Sequence, residues 1–192
     1  MLLTKRTRQK YLKELGFYNG KIDGIIGEKT KAAYKKLQKK YFKRSKDRDG
    51  VYGTNTDILL RNAYKVHKHC KNFTLDEFEC GCGGKHCTGY PAELSTYLLK
   101  NMQSIRSKYG AATITSGLRC KQYNKELDGS STTSLHMRGR ALDFAILPMT
   151  NNLVNRRKIM AFIKKLPKYR YTYCDEGGNY PNMGNAIHFD VK

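Results

Sequence analysis

The segment Ser134-Leu135-His136-Met137-Arg138-Gly139-Arg140-Ala141-Leu142-Asp143-Phe144-Ala145-Ile146 carries most of what this chain reveals about itself. Leu142, Phe144 and Ile146 alternate with Ala141, Asp143 and Ala145, the period of a half-buried strand. Asp143 falls on the face opposite the large apolar residues. Near the C-terminus, Ile187-His188-Phe189-Asp190-Val191 alternates in the same way. Two neighbouring strands of this kind bury their apolar sides against helices and present Asp143, His188 and Asp190 together on the other face. His136 lies seven residues before Asp143. On one helix that offset is about 10 Å along the axis, and on one straight strand an odd offset points to opposite sides. A turn between them brings both to one point, and Gly139 supplies it. Two imidazoles and a carboxylate with an open fourth position form the donor set of a catalytic zinc site. A lone histidine is more often a satisfied core or surface residue, so the pattern as a whole has to carry the reading.

Upstream, Leu94, Leu98, Met102, Ile105 and Tyr109 recur at three and four, with Pro91 before them and Gly110 just after. This predicts a core-facing helix over 91–109. Ala112-Thr113-Ile114-Thr115 then reads as a strand running into Ser116-Gly117-Leu118-Arg119. Earlier still, Thr74-Leu75-Asp76-Glu77 has capping-box spacing and opens a short helix. It leads into Cys80, Cys82 and Cys87, while Cys70, Cys120 and Cys174 lie apart. No C-x-x-C pair marks a zinc ribbon. A structural zinc with a remote fourth ligand, one or two disulfides, and buried free thiols all remain open, each a staple and not a reaction centre.

The first third contains an internal repeat. Asp23-Gly24-Ile25-Ile26-Gly27-Glu28-Lys29-Thr30 recurs 26 residues later as Asp49-Gly50-Val51-Tyr52-Gly53-Thr54-Asn55-Thr56. Each copy is an Asp-Gly turn feeding a helix. Ala33, Leu37 and Tyr41 follow the first copy at helical spacing, and Leu59, Leu60, Ala63, Tyr64 and His67 follow the second. A helix from Lys5 to Leu15, ended by Gly16, completes a three-helix unit. The polar stretch Lys65–Asn72 reads as a linker. The chain therefore divides into 1–68 and 69–192, an α+β protein with a small helical domain and a larger domain built on an antiparallel sheet.

The 192 residues hold 37 Lys+Arg against 16 Asp+Glu, a formal charge of +21, with 39% hydrophobic residues. That apolar share is too high for a disordered polycation. No window approaches the roughly 20 apolar residues of a membrane helix, and the opening MLLTKRTRQKYL lacks the apolar core of a signal peptide. Residues 1–68 carry 19 basic and 6 acidic residues, more than half of the excess charge. Such charge implies an anionic partner without naming it, or simply a solvated face.

Two resemblances narrow this. Leu12-x-x-Leu15-Gly16-Phe17-Tyr18-x-Gly20-x-x-Asp23-Gly24-x-x-Gly27-x-x-Thr30, with its shorter second copy, resembles the peptidoglycan-binding domain found at the ends of many wall hydrolases. Tyr18 and Tyr52, beside the turns, are the expected wall contacts. Ser134-x-His136-x-x-Gly139-x-Ala141-x-Asp143, with Ser116-Gly117-x-Arg119 upstream and His188-x-Asp190 downstream, resembles the zinc D-Ala-D-Ala carboxypeptidase and L-Ala-D-Glu endopeptidase family, which shares a fold with the hedgehog signalling domain. The resemblance implies His136, Asp143 and His188 as ligands of Zn2+. It implies Arg119 as the residue that binds a substrate carbonyl or carboxylate, and Ser134 as a substrate contact. Relatives carry an acidic base three residues before the second zinc histidine, or a histidine two before it. Here those positions are Asn185 and Ala186. Asp190, Asp175 and Glu176 are the remaining candidates for the base, and Asp190 can equally serve to orient a ligand imidazole.

The resulting expectation is a monomeric zinc peptidase acting on peptidoglycan stems, similar to a bacteriophage endolysin that waits in the host cytoplasm until released to the wall. The alternative is a non-catalytic wall-binding protein with a structural zinc. Nucleic-acid binding rests on charge alone, with no accompanying motif, and no membrane insertion is expected.

Overall fold

A computed structural model describes residues 1–192. Three helices form the N-terminal unit: α1 (Lys5–Glu14), α2 (Glu28–Tyr41) and α3 (Thr54–His69). Thr4 caps α1 by accepting from the Thr7 N–H, and Gly16 ends it at φ +78°, a conformation open to glycine at little cost. Leu12, Ala33, Tyr34, Leu37, Leu59, Leu60, Ala63 and Val66 fill the space between the helices.

The internal repeat has a structural counterpart in two buried glutamines. Gln9 Nε2 donates to Asp23 Oδ1 (2.9 Å) and Ile25 O (3.0 Å), while Gln9 Oε1 accepts from Gly24 N (2.7 Å). Gln38 repeats this with Asp49 Oδ1 (3.2 Å), Val51 O (2.9 Å), Thr56 Oγ1 (3.0 Å) and Gly50 N (2.7 Å). Each Asp-Gly turn is thus tied to the preceding helix by one amide that satisfies backbone groups no helix or strand would reach. The doubled motif records this shared solution.

The second half comprises α4 (Thr96–Tyr109), β1 (Thr113–Ser116), α5 (Lys121–Glu126), β2 (Ala141–Ala145), α6 (Leu153–Ile163), β3 (Tyr169–Cys174) and β4 (Ile187–Val191). The strands form one sheet in the order β1-β2-β4-β3, antiparallel throughout. Helix α4 begins at Thr96 after the N-cap Ser95, five residues later than its apolar period suggests. Residues 91–95 instead stay outside the helix, with Ala92 O and Leu94 N bonded to Asn62 of α3. The capping box at Thr74 is formed, on a single 3-10 turn, Leu75–Phe78.

Two expectations give way. Every residue of β2 and β4 is buried, so neither strand is half exposed; the face opposite the core closes over the polar residues it carries. Most of the stretch expected as a linker, Lys65–His69, is the last turn of α3, and only residues 70–72 lie beyond it. Asn62 on α3, fully buried, donates to Ala92 O (2.9 Å) and accepts from Leu94 N (2.8 Å). Lys65 donates to Leu94 O (2.7 Å). Lys43 N donates to Thr88 O (3.2 Å), and its ammonium pairs with Glu79 at 2.7 Å. A single apolar cluster runs from Leu12 through Val66 and Leu98 to Phe189. The two halves therefore share one core without a tether between them.

Replacing Gln38 with Leu leaves the part-buried Gly50 amide without its partner and takes one hydrogen bond each from Asp49, the Val51 carbonyl and the Thr56 hydroxyl, at about 1–3 kcal/mol for a group left unpaired. Urea unfolding should show a loss of about 2–4 kcal/mol, against about 0.5 kcal/mol or less for the exposed control Lys36→Ala. Equal effects of the two would refute the amide-tie account.

Candidate active site

The register of the sheet pairs Asp143 on β2 directly with His188 on β4. His188 Nδ1 lies 2.7 Å from Asp143 Oδ1. His136 reaches the same point from a 3-10 turn, Leu135–Arg138, that precedes β2. Its Nε2 is 3.4 Å from His188 Nδ1 and 3.5 Å from Asp143 Oδ1. All three residues are buried. Gly139 makes the approach possible. It sits at φ +64°, and a Cβ there would collide with the Glu93 carbonyl. The segment that Asn62 holds in place is thus also the surface on which the His136 turn packs.

Each of the three side chains has its other polar atom engaged. The Gly117 carbonyl faces His136 Nδ1 at 2.7 Å, so Nδ1 carries the proton and Nε2 offers its lone pair. Asp190 Oδ2 lies 3.5 Å from His188 Nε2, where it can accept a hydrogen bond from Nε2–H when Nδ1 gives up its own proton to bind a metal ion. Arg119 Nη2 donates to Asp143 Oδ2 at 3.0 Å, leaving Oδ1 toward the imidazoles. Such outer partners fix tautomer and ring orientation at metal sites. Burial acts to raise the Asp143 pKa, but the two imidazoles beside it, His136 and His188, outweigh it and hold the carboxyl well below its ordinary range. Burial likewise acts to lower the His188 pKa, and Asp143 and Asp190 reverse this.

The donor set fits a tetrahedral metal ion. Ligand atoms about 2.0–2.1 Å from zinc stand about 3.3 Å apart in a tetrahedron, and two of the three separations here are 3.4 and 3.5 Å. The third, 2.7 Å, is the length of a direct imidazole–carboxylate hydrogen bond.

A cleft of about 1370 Å³ opens over these residues, with Arg119, Ser134, Arg170, Tyr171, Tyr173 and Tyr180 among its walls. Tyr173 stacks on His188 with ring centroids 4.6 Å apart, and Tyr180 lies 4.6 Å beyond it. Burial, with Asp143 nearby, pushes the Tyr173 hydroxyl up to about 12. These tyrosines escaped the sequence reading, although Tyr169-x-Tyr171-x-Tyr173 alternates in the way a strand face requires. The Gly117 carbonyl had no side-chain signal at all.

Other expected site residues lie elsewhere. Asp175 Oδ1 accepts from Gly178 N (2.9 Å) and Tyr180 N (3.0 Å), so it shapes its own loop and lies outside the cleft lining. Glu176 pairs with Arg157 at 3.2 Å. Asp190, paired with Arg170 at 2.8 Å, sits on the outer side of the His188 ring, away from the convergence point. Tyr18 and Tyr52 do not face outward as wall contacts. The Tyr18 hydroxyl donates to Lys21 O (2.8 Å) and its ring is buried. Tyr52 donates to Asp57 Oδ1 (2.7 Å), packs on Tyr34 and lies beneath Arg8. Both rings serve the helical unit's interior, where the turns beside them pull them.

A helical unit with twin Asp-Gly turns shares its core with a sheet that gathers two imidazoles and a carboxylate under a cleft, the layout of a two-part protein with a substrate-sized site. Residues 71–189 match the family model for Peptidase M15, and the chain belongs to that family. Residues 6–56 match the model for a peptidoglycan binding domain, so the protein is a peptidase directed at the bacterial cell wall. No curated protein matches the chain. No helix is long and apolar enough to cross a membrane.

The orienting role of Asp190 can be measured directly. Asp190→Ala should weaken zinc affinity about 10–100-fold, the range for outer-shell partners of ligating histidines, in competition with a chromophoric chelator. Unchanged affinity would show that His188 needs no outer partner.

Proposed function

We propose that this protein is a zinc-dependent peptidase that cuts the peptide stems or cross-links of peptidoglycan and acts as a phage endolysin. The observation that carries the proposal is the meeting of His136 Nε2, Asp143 Oδ1 and His188 Nδ1 within 3.5 Å of one another on the cleft floor. His136, Asp143 and His188 would hold the ion. When bound, zinc supplies a Lewis acid that polarises a scissile carbonyl and makes water a stronger acid at neutral pH.

The chain's own residues do the rest. Gly117 O and Asp190 hold the two imidazoles in the tautomers that turn lone pairs inward. Arg119 spends Nε on Ser116 and Nη2 on Ser116 and Asp143, so positioning Asp143 is its first task. Its Nη1 remains for a substrate carboxylate or a developing oxyanion. Ser134, at the start of the His136 turn, lines the route by which a stem peptide enters. Tyr171 and Tyr180, about half exposed, offer flat apolar surfaces to that peptide. The residues 1–68 raise the local concentration of wall substrate around this cleft. On this reading the protein stays in the host cytoplasm until it is released to the wall.

Digestion of purified Gram-positive peptidoglycan, followed by mass spectrometry of the fragments, tests both reaction class and bond. New amino termini should appear, disappear after chelation and return with zinc. Activity should fall at least 1000-fold in His136→Ala while the far-UV spectrum is retained, as about 4 kcal/mol of lost barrier stabilisation implies. Fragments carrying only new reducing-sugar ends would refute the peptidase reading.

A further inference from the structure

Outside the histidine site, a second group of metal-ligating side chains lies together. We propose that Cys80, Cys82, Cys87 and Cys120 form a tetrathiolate site for a structural zinc ion that locks the turn carrying Gly117 and Arg119. The four sulfurs lie within 4.8 Å of one another, a cluster of the size a tetrahedral ion with sulfur about 2.3 Å away would draw together. They come from two places in the chain: three from the loop after the Leu75–Phe78 turn, and one from the start of α5. Cys82 and Cys87 have Sγ atoms 3.5 Å apart, well outside the roughly 2.05 Å of a disulfide bond. Cys80 and Cys120 are buried, and Cys82 and Cys87 are partly so.

The surrounding backbone is arranged for sulfur that bears charge. Cys120 N donates to Cys80 Sγ (3.2 Å), Gly89 N to Cys87 Sγ (3.4 Å) and Tyr123 N to Cys120 Sγ (3.5 Å). Backbone N–H groups aimed at thiolates are the outer-shell support that a metal–thiolate centre uses. The loop closes on itself through Cys80 N to Gly89 O (2.8 Å) and Lys85 N to Cys82 O (3.0 Å). Gly83 and Gly84, at φ +59° and +91°, give the tight reversal between Cys82 and Cys87. Zinc binding at such a site displaces the thiol protons to solvent and needs no oxidant.

The position of the cluster gives the ion a purpose. Cys120 directly follows Arg119, which holds Asp143. Leu118 N donates to Phe78 O (3.0 Å), and a Cβ on Gly117 would come within 2.6 Å of that same carbonyl. Joining Cys120 to the 80–87 loop therefore fixes the turn whose Gly117 carbonyl orients His136. The loop also rests on α2's exit, where Lys43 N meets Thr88 O. The ion sits at the junction between the wall-binding helices and the sheet.

The test uses the full chain, purified under reducing conditions with its zinc measured by elemental analysis. The wild-type protein should hold two zinc ions per chain, and His136→Ala/His188→Ala should hold one. Titrating that variant's thiols with p-hydroxymercuribenzoate should release its zinc stoichiometrically. Cobalt in the same site should give intense sulfur-to-cobalt charge-transfer absorption. The titration repeated on wild-type protein, after a chelator has stripped the histidine site, gives the answer without relying on the variant's folding. Cys82→Ser/Cys87→Ser should hold one ion fewer than wild type. A chain that keeps no zinc once the histidine site is stripped overturns the proposal. So does a non-reducing mass measurement that finds Cys82 bonded to Cys87.

Discussion

The cross-strand pairing of Asp143 with His188 is the constraint on which the rest of this structure depends. A slip of β4 by one residue against β2 would turn His188 toward the core and Ile187 and Phe189 toward the cleft. The large apolar residues prevent that slip, because Leu142, Phe144, Ile187 and Phe189 are fully buried on the helix-facing side. The hydrophobic pattern therefore fixes the register, and the register places a carboxylate against an imidazole at 2.7 Å. The chemistry of the site follows from the packing of the core.

The third side chain of the cluster is held by different means. His136 lies on a short turn, where no ladder of hydrogen bonds sets its position. Its turn packs against residues 93–94 at Gly139, and those residues are tied to α3 through Asn62 and Lys65. Its ring is set by the Gly117 carbonyl, on a turn adjoining the four-cysteine cluster. The wall-binding helices thus form part of the rigid support of the cleft. Shared support of this kind keeps a buried polar site ordered, since each member would be costly to leave unpaired.

Much of this was legible in the sequence, for physical reasons that differ from place to place. Strict alternation in β2 and β4 exposed the pairing of Asp143 and His188, and the doubled Asp-Gly motif exposed the helical unit. The start of α4 was misplaced because Pro91 and Leu94 satisfy a helical pattern while Asn62 takes the Ala92 carbonyl and Leu94 amide for its own hydrogen bonds. The expected linker failed because Lys65 and Lys68 look like tether residues but lie on a helix whose other face, at Asn62 and Val66, is buried. Tyr18 and Tyr52 look like wall contacts beside exposed turns, and only the hydrogen bonds to Lys21 and Asp57 show that they turn inward. The partners that orient the histidines include a backbone carbonyl, which no side-chain pattern can announce. Of the acids considered for the general base, Asp190 is bound to Arg170 and His188, and Asp175 to its own loop.

The central claim is that His136, Asp143 and His188 hold a metal ion from which the peptidase activity derives. Anomalous diffraction at the zinc edge, from crystals grown with zinc, tests it most directly. The account predicts a peak about 2.0–2.2 Å from His136 Nε2, Asp143 Oδ1 and His188 Nδ1. A zinc-loaded crystal with no peak between these three atoms would contradict it.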